Sequence, residues 1–154
     1  MKKIILLMAA MVLAVFTFAQ SAKEEVDFVQ AAFGMEKKAV VAAFVQPTEI
    51  QNDAFWRLYD EFEVARKENG KKRIELLGQY AMLYNSMTEE QAELWMKDVI
   101  KLSAATDKLI VTYYKKIKKA TSPLVATQFY QIEEYILTAI RMEVLDGVPF
   151  IGED

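Results

Sequence analysis

The side chains of this chain that could do chemistry are carboxylates and lysines, because it contains no histidine and no cysteine. That removes imidazole general bases, thiol nucleophiles, Ser-His-Asp triads and the usual zinc sites. Adjacent carboxylates stand at Glu24/Glu25, Glu89/Glu90 and Glu133/Glu134. Acid/base or metal chemistry would need two carboxylates converging on one point, whereas neighbours on a helix diverge by about 100°. The first two pairs also lie near helix starts, where negative charge complements the helix dipole. All three pairs therefore read as solvated faces and dipole complements. The expectation is a protein that is not an enzyme and holds no cofactor or metal.

A second pattern is a row of lysines. Lys97, Lys101, Lys108, Lys115 and Lys119 fall within about 40° of one another on a helical projection. Trp95, Val99, Leu102, Thr106, Leu109, Tyr113 and Ile117 occupy an arc of about 80° on the other side. Met96, Ile100, Ile110, Val111 and Tyr114 widen that apolar arc beyond what one neighbouring helix covers. A lysine row is most often a wet outer face. Its functional reading is a basic field that attracts a client or partner, with Met96, Ile100, Val111 and Tyr114 as the apolar surface that holds it.

The elements that must position these residues are punctuated clearly. Thr48-Glu49-Ile50-Gln51 is echoed forty positions later by Thr88-Glu89-Glu90-Gln91. Each is a capping box, in which the Thr hydroxyl accepts from one orphan backbone N–H and the Gln side chain reaches back to another. Ser122-Pro123 is an N-cap followed by proline at the first helical position, and Gly147 with Pro149 closes the last helix. The expected helices span about 24–45, with a break near Gly34, then 49–85, 89–120 and 123–145. The fold class is all-α. The short link through Asn85, Ser86 and Met87 makes the second and third helices a long antiparallel hairpin. Phe55, Leu58, Tyr59, Phe62, Ala65, Leu76, Leu77, Tyr80, Leu83 and Tyr84 form the apolar stripe of its first arm. Arg66, Asn69 and Arg73 interrupt that stripe, opposite Thr106, Ser103 and Val99, with Asp107 close by. This polar waist reads as a layer that sets helix register, or as a place where a partner docks. Asn69-Gly70 weakens the helix there and invites a bend.

The compartment is read from the first residues. Met1-Lys2-Lys3 is a short basic segment, Ile4 to Phe18 is an apolar run without a charge, and Thr17-Phe18-Ala19 supplies small residues at a cleavage site. This is the form of a secretory signal peptide spanning 1–19, cut after Ala19. The rival reading is a retained membrane anchor. The run is shorter than the ~20 residues that span a bilayer, which favours cleavage, and no stable membrane insertion is expected after it. The remaining residues, 20–154, have the length of a single domain. The chain has 19 basic and 22 acidic residues, a net charge of −3, and losing Lys2 and Lys3 takes it to −3 − 2 = −5. That balance argues against nucleic acid as a partner.

Two T-x-x-Q boxes behind a signal peptide, each opening a long helix, resemble the LTxxQ repeats of the Spy/CpxP family of periplasmic helical proteins. Pro47 and Met87 stand where that motif has leucine, and Ala54-Phe55-Trp56-Arg57-Leu58-Tyr59 is similar to the stretch after the first motif in many members. The resemblance covers roughly 45–145, with Thr48, Gln51, Thr88 and Gln91 as the motif residues. It implies a long-hairpin, cradle-shaped or bundle-like homodimer in the periplasm. It also implies an ATP-independent chaperone that holds unfolded polypeptides, or a regulatory protein that docks on the periplasmic domain of a membrane sensor of envelope stress. Metal sensing in the family uses histidine and does not carry over to this chain.

Overall fold

The computed structural model describes residues 22–152, and side chains from residue 33 onward. The expected signal peptide at 1–19 lies outside the described residues. The described chain is all-helical: α1 is Ala22–Phe44, α2 Glu49–Leu83, α3 Glu89–Ala120 and α4 Pro123–Asp146. Each boundary falls within two residues of its sequence expectation. Helix α1 runs unbroken through Gly34, and α2 runs unbroken through Asn69-Gly70. A single glycine costs a helix only ~1 kcal/mol relative to alanine, too little to interrupt helices of 23 and 35 residues.

The caps explain why the helices start where they do. Gln91 Oε1 accepts from the Thr88 N–H at 2.9 Å, and the Thr88 hydroxyl accepts from the Gln91 N–H at 3.2 Å. At the other box Gln51 Oε1 accepts from the Thr48 N–H at 3.2 Å, and the Gln51 N–H also lies 2.9 Å from the Thr48 carbonyl. Ser122 caps α4 by accepting from the Val125 N–H at 3.2 Å. The links are short, so consecutive helices run antiparallel. α2 and α3 form the long hairpin, α4 returns along α3, and α1 lies against α2 and α4.

The main core gathers at the end of the bundle where α2 starts and α3 finishes. Val41 and Val45 from the α1 side meet Phe55, Tyr59 and Phe62 of α2, Ile110, Tyr113 and Ile117 of α3, and Val125, Phe129 and Ile132 of α4. Phe62 ties three helices together. Its ring meets Tyr113 at 5.5 Å and Phe129 at 5.2 Å between centroids, both edge-on, the geometry that aromatic quadrupoles favour. At the opposite end Tyr80 lies against Trp95, 4.8 Å between centroids, and Trp95 Nε1 donates to the Leu76 carbonyl at 2.9 Å. Between the two ends, α2 has no buried residue from Glu63 until Leu76. The hairpin is hollow there.

Much of the wide apolar arc on α3 is covered from within the chain. Ile110, Tyr113 and Ile117 are buried. Tyr114 is half-buried, its ring edge-on to Tyr130 of α4 at 6.0 Å, so it belongs more to the edge of the core than to an open surface. Met96, Ile100 and Val111 stay exposed. All five lysines of the row are exposed as well.

Candidate functional site

The hollow is a cavity of about 690 Å³ between the helices. Its size lies within the range of small-molecule pockets, ~300–1,000 Å³. It is made where short polar or half-buried residues replace the large core side chains at matching heights on three helices. On α2 these are Arg66, Asn69, Gly70 and Arg73, and on α3 Val99, Ser103 and Thr106; Ile140 and Arg141 of α4 complete the wall. Toward the α2–α3 turn the lining becomes apolar, with Leu76, Leu77, Tyr80, Trp95, Val144 and Val148. The segment after α4 closes that end: Pro149, Phe150 and Ile151 line it, and the Tyr80 hydroxyl donates to the Pro149 carbonyl at 2.7 Å.

The other end has a charged floor. Lys37 of α1 is buried, with Nζ 2.6 Å from Glu63 Oε1 and 2.7 Å from Glu133 Oε2. Arg66 Nε donates to the same Glu63 oxygen at 2.8 Å. The ammonium also stands 5.0 Å from the Phe62 ring centroid and 5.4 Å from that of Tyr59, and the Arg66 guanidinium lies 5.0 Å from the Phe33 ring. These cation–ring contacts add attraction that strengthens where water is excluded.

Two carboxylates share one ammonium, and their environments drive them apart. Burial alone would raise Glu63, but Lys37, Arg66 and their hydrogen bonds outweigh it and hold the Glu63 carboxyl below its usual range. Glu133 lacks the guanidinium contact. Burial dominates there over the pull of Lys37, and the Glu133 carboxyl is pushed up. Burial, followed by the charges of Glu63 and Glu133, also raises the Tyr59 hydroxyl. Among the described residues, four buried polar atoms of this cluster have no hydrogen-bond partner: Tyr59 Oη, Glu63 Oε2, Arg66 Nη2 and Glu133 Oε1.

The polar waist is present, with its pairing about one turn from the expected register of Asn69 opposite Ser103 and Arg73 opposite Val99. Asn69 Nδ2 donates to Thr106 Oγ1 at 3.5 Å and Arg73 Nη2 to Ser103 Oγ at 3.3 Å. Both bonds are long for their type, so they set the pairing of α2 with α3 without filling the space between. Asp107 points elsewhere, accepting from Arg141 Nη2 at 3.1 Å. Among the described residues Arg73 pairs with no carboxylate, and burial, then the nearby Arg141, disfavours its charge.

Glu133 overturns one expectation. It is 3 % exposed and ion-paired, so the Glu133/Glu134 pair is not a solvated face. Sequence reasoning also missed Lys37 and Glu63. The signal was available in the spacing. Lys37 interrupts the row Phe33, Val41, Val45, Glu63 follows Phe62 within Tyr59–Arg66, and Glu133 follows Ile132 between Phe129 and Ile136. A charge embedded in an apolar helical row on each of three helices calls for mutual pairing.

The lysines at 97, 101, 108 and 115 do not enter the cavity; they lie on the outer face of α3 with Ile100 and Val111. Among the described residues, no group of three or more acidic side chains is placed to hold a metal ion, and no helix is long and apolar enough to cross a membrane. No protein-family model, curated protein or solved structure matches this chain.

Proposed function

We propose that this chain is an exported binding protein of the cell envelope, of the Spy/CpxP kind, that holds unfolding polypeptides without ATP. The observation that supports the reading is the outer face of α3. There Lys97, Lys101, Lys108 and Lys115 stand exposed beside Met96, Ile100 and Val111, which are 42 %, 61 % and 38 % exposed. A basic field draws in clients carrying negative charge over a Debye length of ~10 Å at 0.1 M salt. The apolar flank then retains the segments that unfolding exposes. A second copy of the chain packed two-fold on part of this face would turn it into a cradle, and two-fold pairing is the commonest closed assembly. Sedimentation equilibrium then gives twice the protomer mass.

Light scattering from a denatured client tests the proposal. The parent suppresses aggregation at a near-stoichiometric ratio. A triple variant, Lys101→Gln, Lys108→Gln and Lys115→Gln, captures clients more slowly, and the advantage of the parent fades at high salt. Equal capture by both proteins at every salt concentration returns the lysines to a solvated face. A protein that protects no client yet binds a single sensor domain is a regulator instead.

A further inference from the structure

We propose that the interhelical cavity is a binding site for a long-chain aliphatic carboxylate, its head on Arg66 and Arg73 and its tail along the apolar end. This site is separate from the outer face of α3 and does not rest on the function proposed above. The first argument is shape: the waist and floor hold the polar groups, and the lining from Leu76 and Leu77 across to Val99 and Val144 is apolar. An amphipathic molecule with one polar end matches that division. The second argument is charge. Among the described residues lining the cavity, Lys37, Arg66, Arg73 and Arg141 are cations and Glu133 is the one carboxylate.

The third argument is what these groups lack. Arg66 uses Nε on Glu63, while its Nη2 is buried without a hydrogen-bond partner. Among the described residues Arg73 has the Ser103 hydroxyl at 3.3 Å as its hydrogen-bond partner, while Asp107, whose charge is felt at Arg73, is hydrogen-bonded to Arg141. A guanidinium presents a planar fork that a carboxylate fills with two parallel hydrogen bonds. A carboxylate at the waist would satisfy the orphan Nη2, supply Arg73 with a counter-charge and accept from Asn69 or Ser103; the Thr106 hydroxyl already donates to the Leu102 carbonyl. Burial of Arg73 beside Arg141, which disfavours its charge, is relieved by the same event. The tail displaces water from apolar walls, a gain that grows with every methylene.

Calorimetric titration of the purified protein with octanoate, dodecanoate and hexadecanoate, and with hexadecanol, tests the site. Affinity is expected to rise about fourfold per added methylene until the apolar end is filled. Arg73→Met weakens hexadecanoate roughly tenfold and leaves hexadecanol unchanged; retained alcohol binding shows that the variant is folded. The Lys101→Gln, Lys108→Gln, Lys115→Gln variant binds hexadecanoate like the parent, which keeps this site distinguishable from the client surface. Absence of hexadecanoate binding to helical parent protein overturns the proposal. So does an equal loss of acid and alcohol in Arg73→Met, or a loss of hexadecanoate in the lysine variant. Binding to phosphatidylglycerol vesicles without binding of free hexadecanoate overturns it too, because the occupant is then a membrane lipid.

Discussion

Lys37 of the first helix and Glu133 of the fourth meet 2.7 Å apart, and their side chains are 1 % and 4 % exposed. These helices are the two most distant in sequence, so the contact closes the bundle. Taking such ions from water costs several kcal/mol each, and only mutual pairing offsets it. The pair is therefore weak as a source of stability and strong as a constraint: a register of α1 that left Lys37 unpaired would strand its ammonium and the Glu133 carboxylate. Helix α1 is held to α2 by the same ammonium through Glu63.

Removing the shared cation is the most damaging single change expected. Lys37→Met leaves Glu63 with Arg66 alone and Glu133 with no partner in an apolar setting. Loss of one member of a buried pair costs about 3–5 kcal/mol. Adding Glu133→Leu to Lys37→Met should recover part of it, because the stranded carboxylate is gone. Urea unfolding of parent, single and double variants measures this; a single variant as stable as the parent would show that the ammonium is not shared as described.

The two carboxylates predict opposite pH limbs. Folding lowers Glu63 from its usual 4.5, so its contribution is complete above that value and is lost as pH falls through the lowered value. Folding raises Glu133 from 4.5, so its contribution is complete below 4.5 and is lost as pH rises through the raised value. Stability should be greatest in the mildly acidic range. Glu133→Gln, which imitates the protonated acid, should flatten the decline toward neutral pH, and Glu63→Gln should flatten the acid limb. Thermal melts across pH 4 to 8 would contradict this if parent and Glu133→Gln ran parallel.

Caps can be tested one at a time. Thr88→Ala deletes the hydroxyl that accepts from Gln91 N–H, a loss of ~1 kcal/mol. In a domain of this size that lowers Tm by roughly 2–6 °C. Thr48→Ala should cost no more, because the Gln51 N–H keeps the Thr48 carbonyl at 2.9 Å. A Thr88→Ala variant that melts with the parent would mean that α3 does not depend on this box.

The Tyr80 hydroxyl helps to hold the segment after α4 over the cavity. Tyr80→Phe removes the 2.7 Å bond to the Pro149 carbonyl while keeping the ring against Trp95. The net loss is about 1 kcal/mol, concentrated locally. Limited proteolysis should then cut near 147–152 several times faster with global Tm nearly unchanged. Unaltered cutting would place the restraint elsewhere.

What the sequence determined by itself was everything carried by local chemistry. Thr48/Gln51, Thr88/Gln91 and Ser122-Pro123 set the helix starts, because a cap is a contact between residues three apart. The short link at 85–87 made α2 and α3 antiparallel, and the polar residues of the waist do face one another, but about one turn from the expected register: Asn69 meets Thr106 rather than Ser103, and Arg73 meets Ser103 rather than Val99. The tertiary structure alone decided how α1 and α4 close on the hairpin. Lys37, Glu63 and Glu133 lie on three helices; each interrupts an apolar row and so calls for a partner, but that the three meet at one point follows only from how the helices pack. Nor could periodicity show that the polar waist opens onto a cavity rather than a packed layer. A stripe records which face turns inward, while the volume left between facing side chains depends on the distances among all the helices at once.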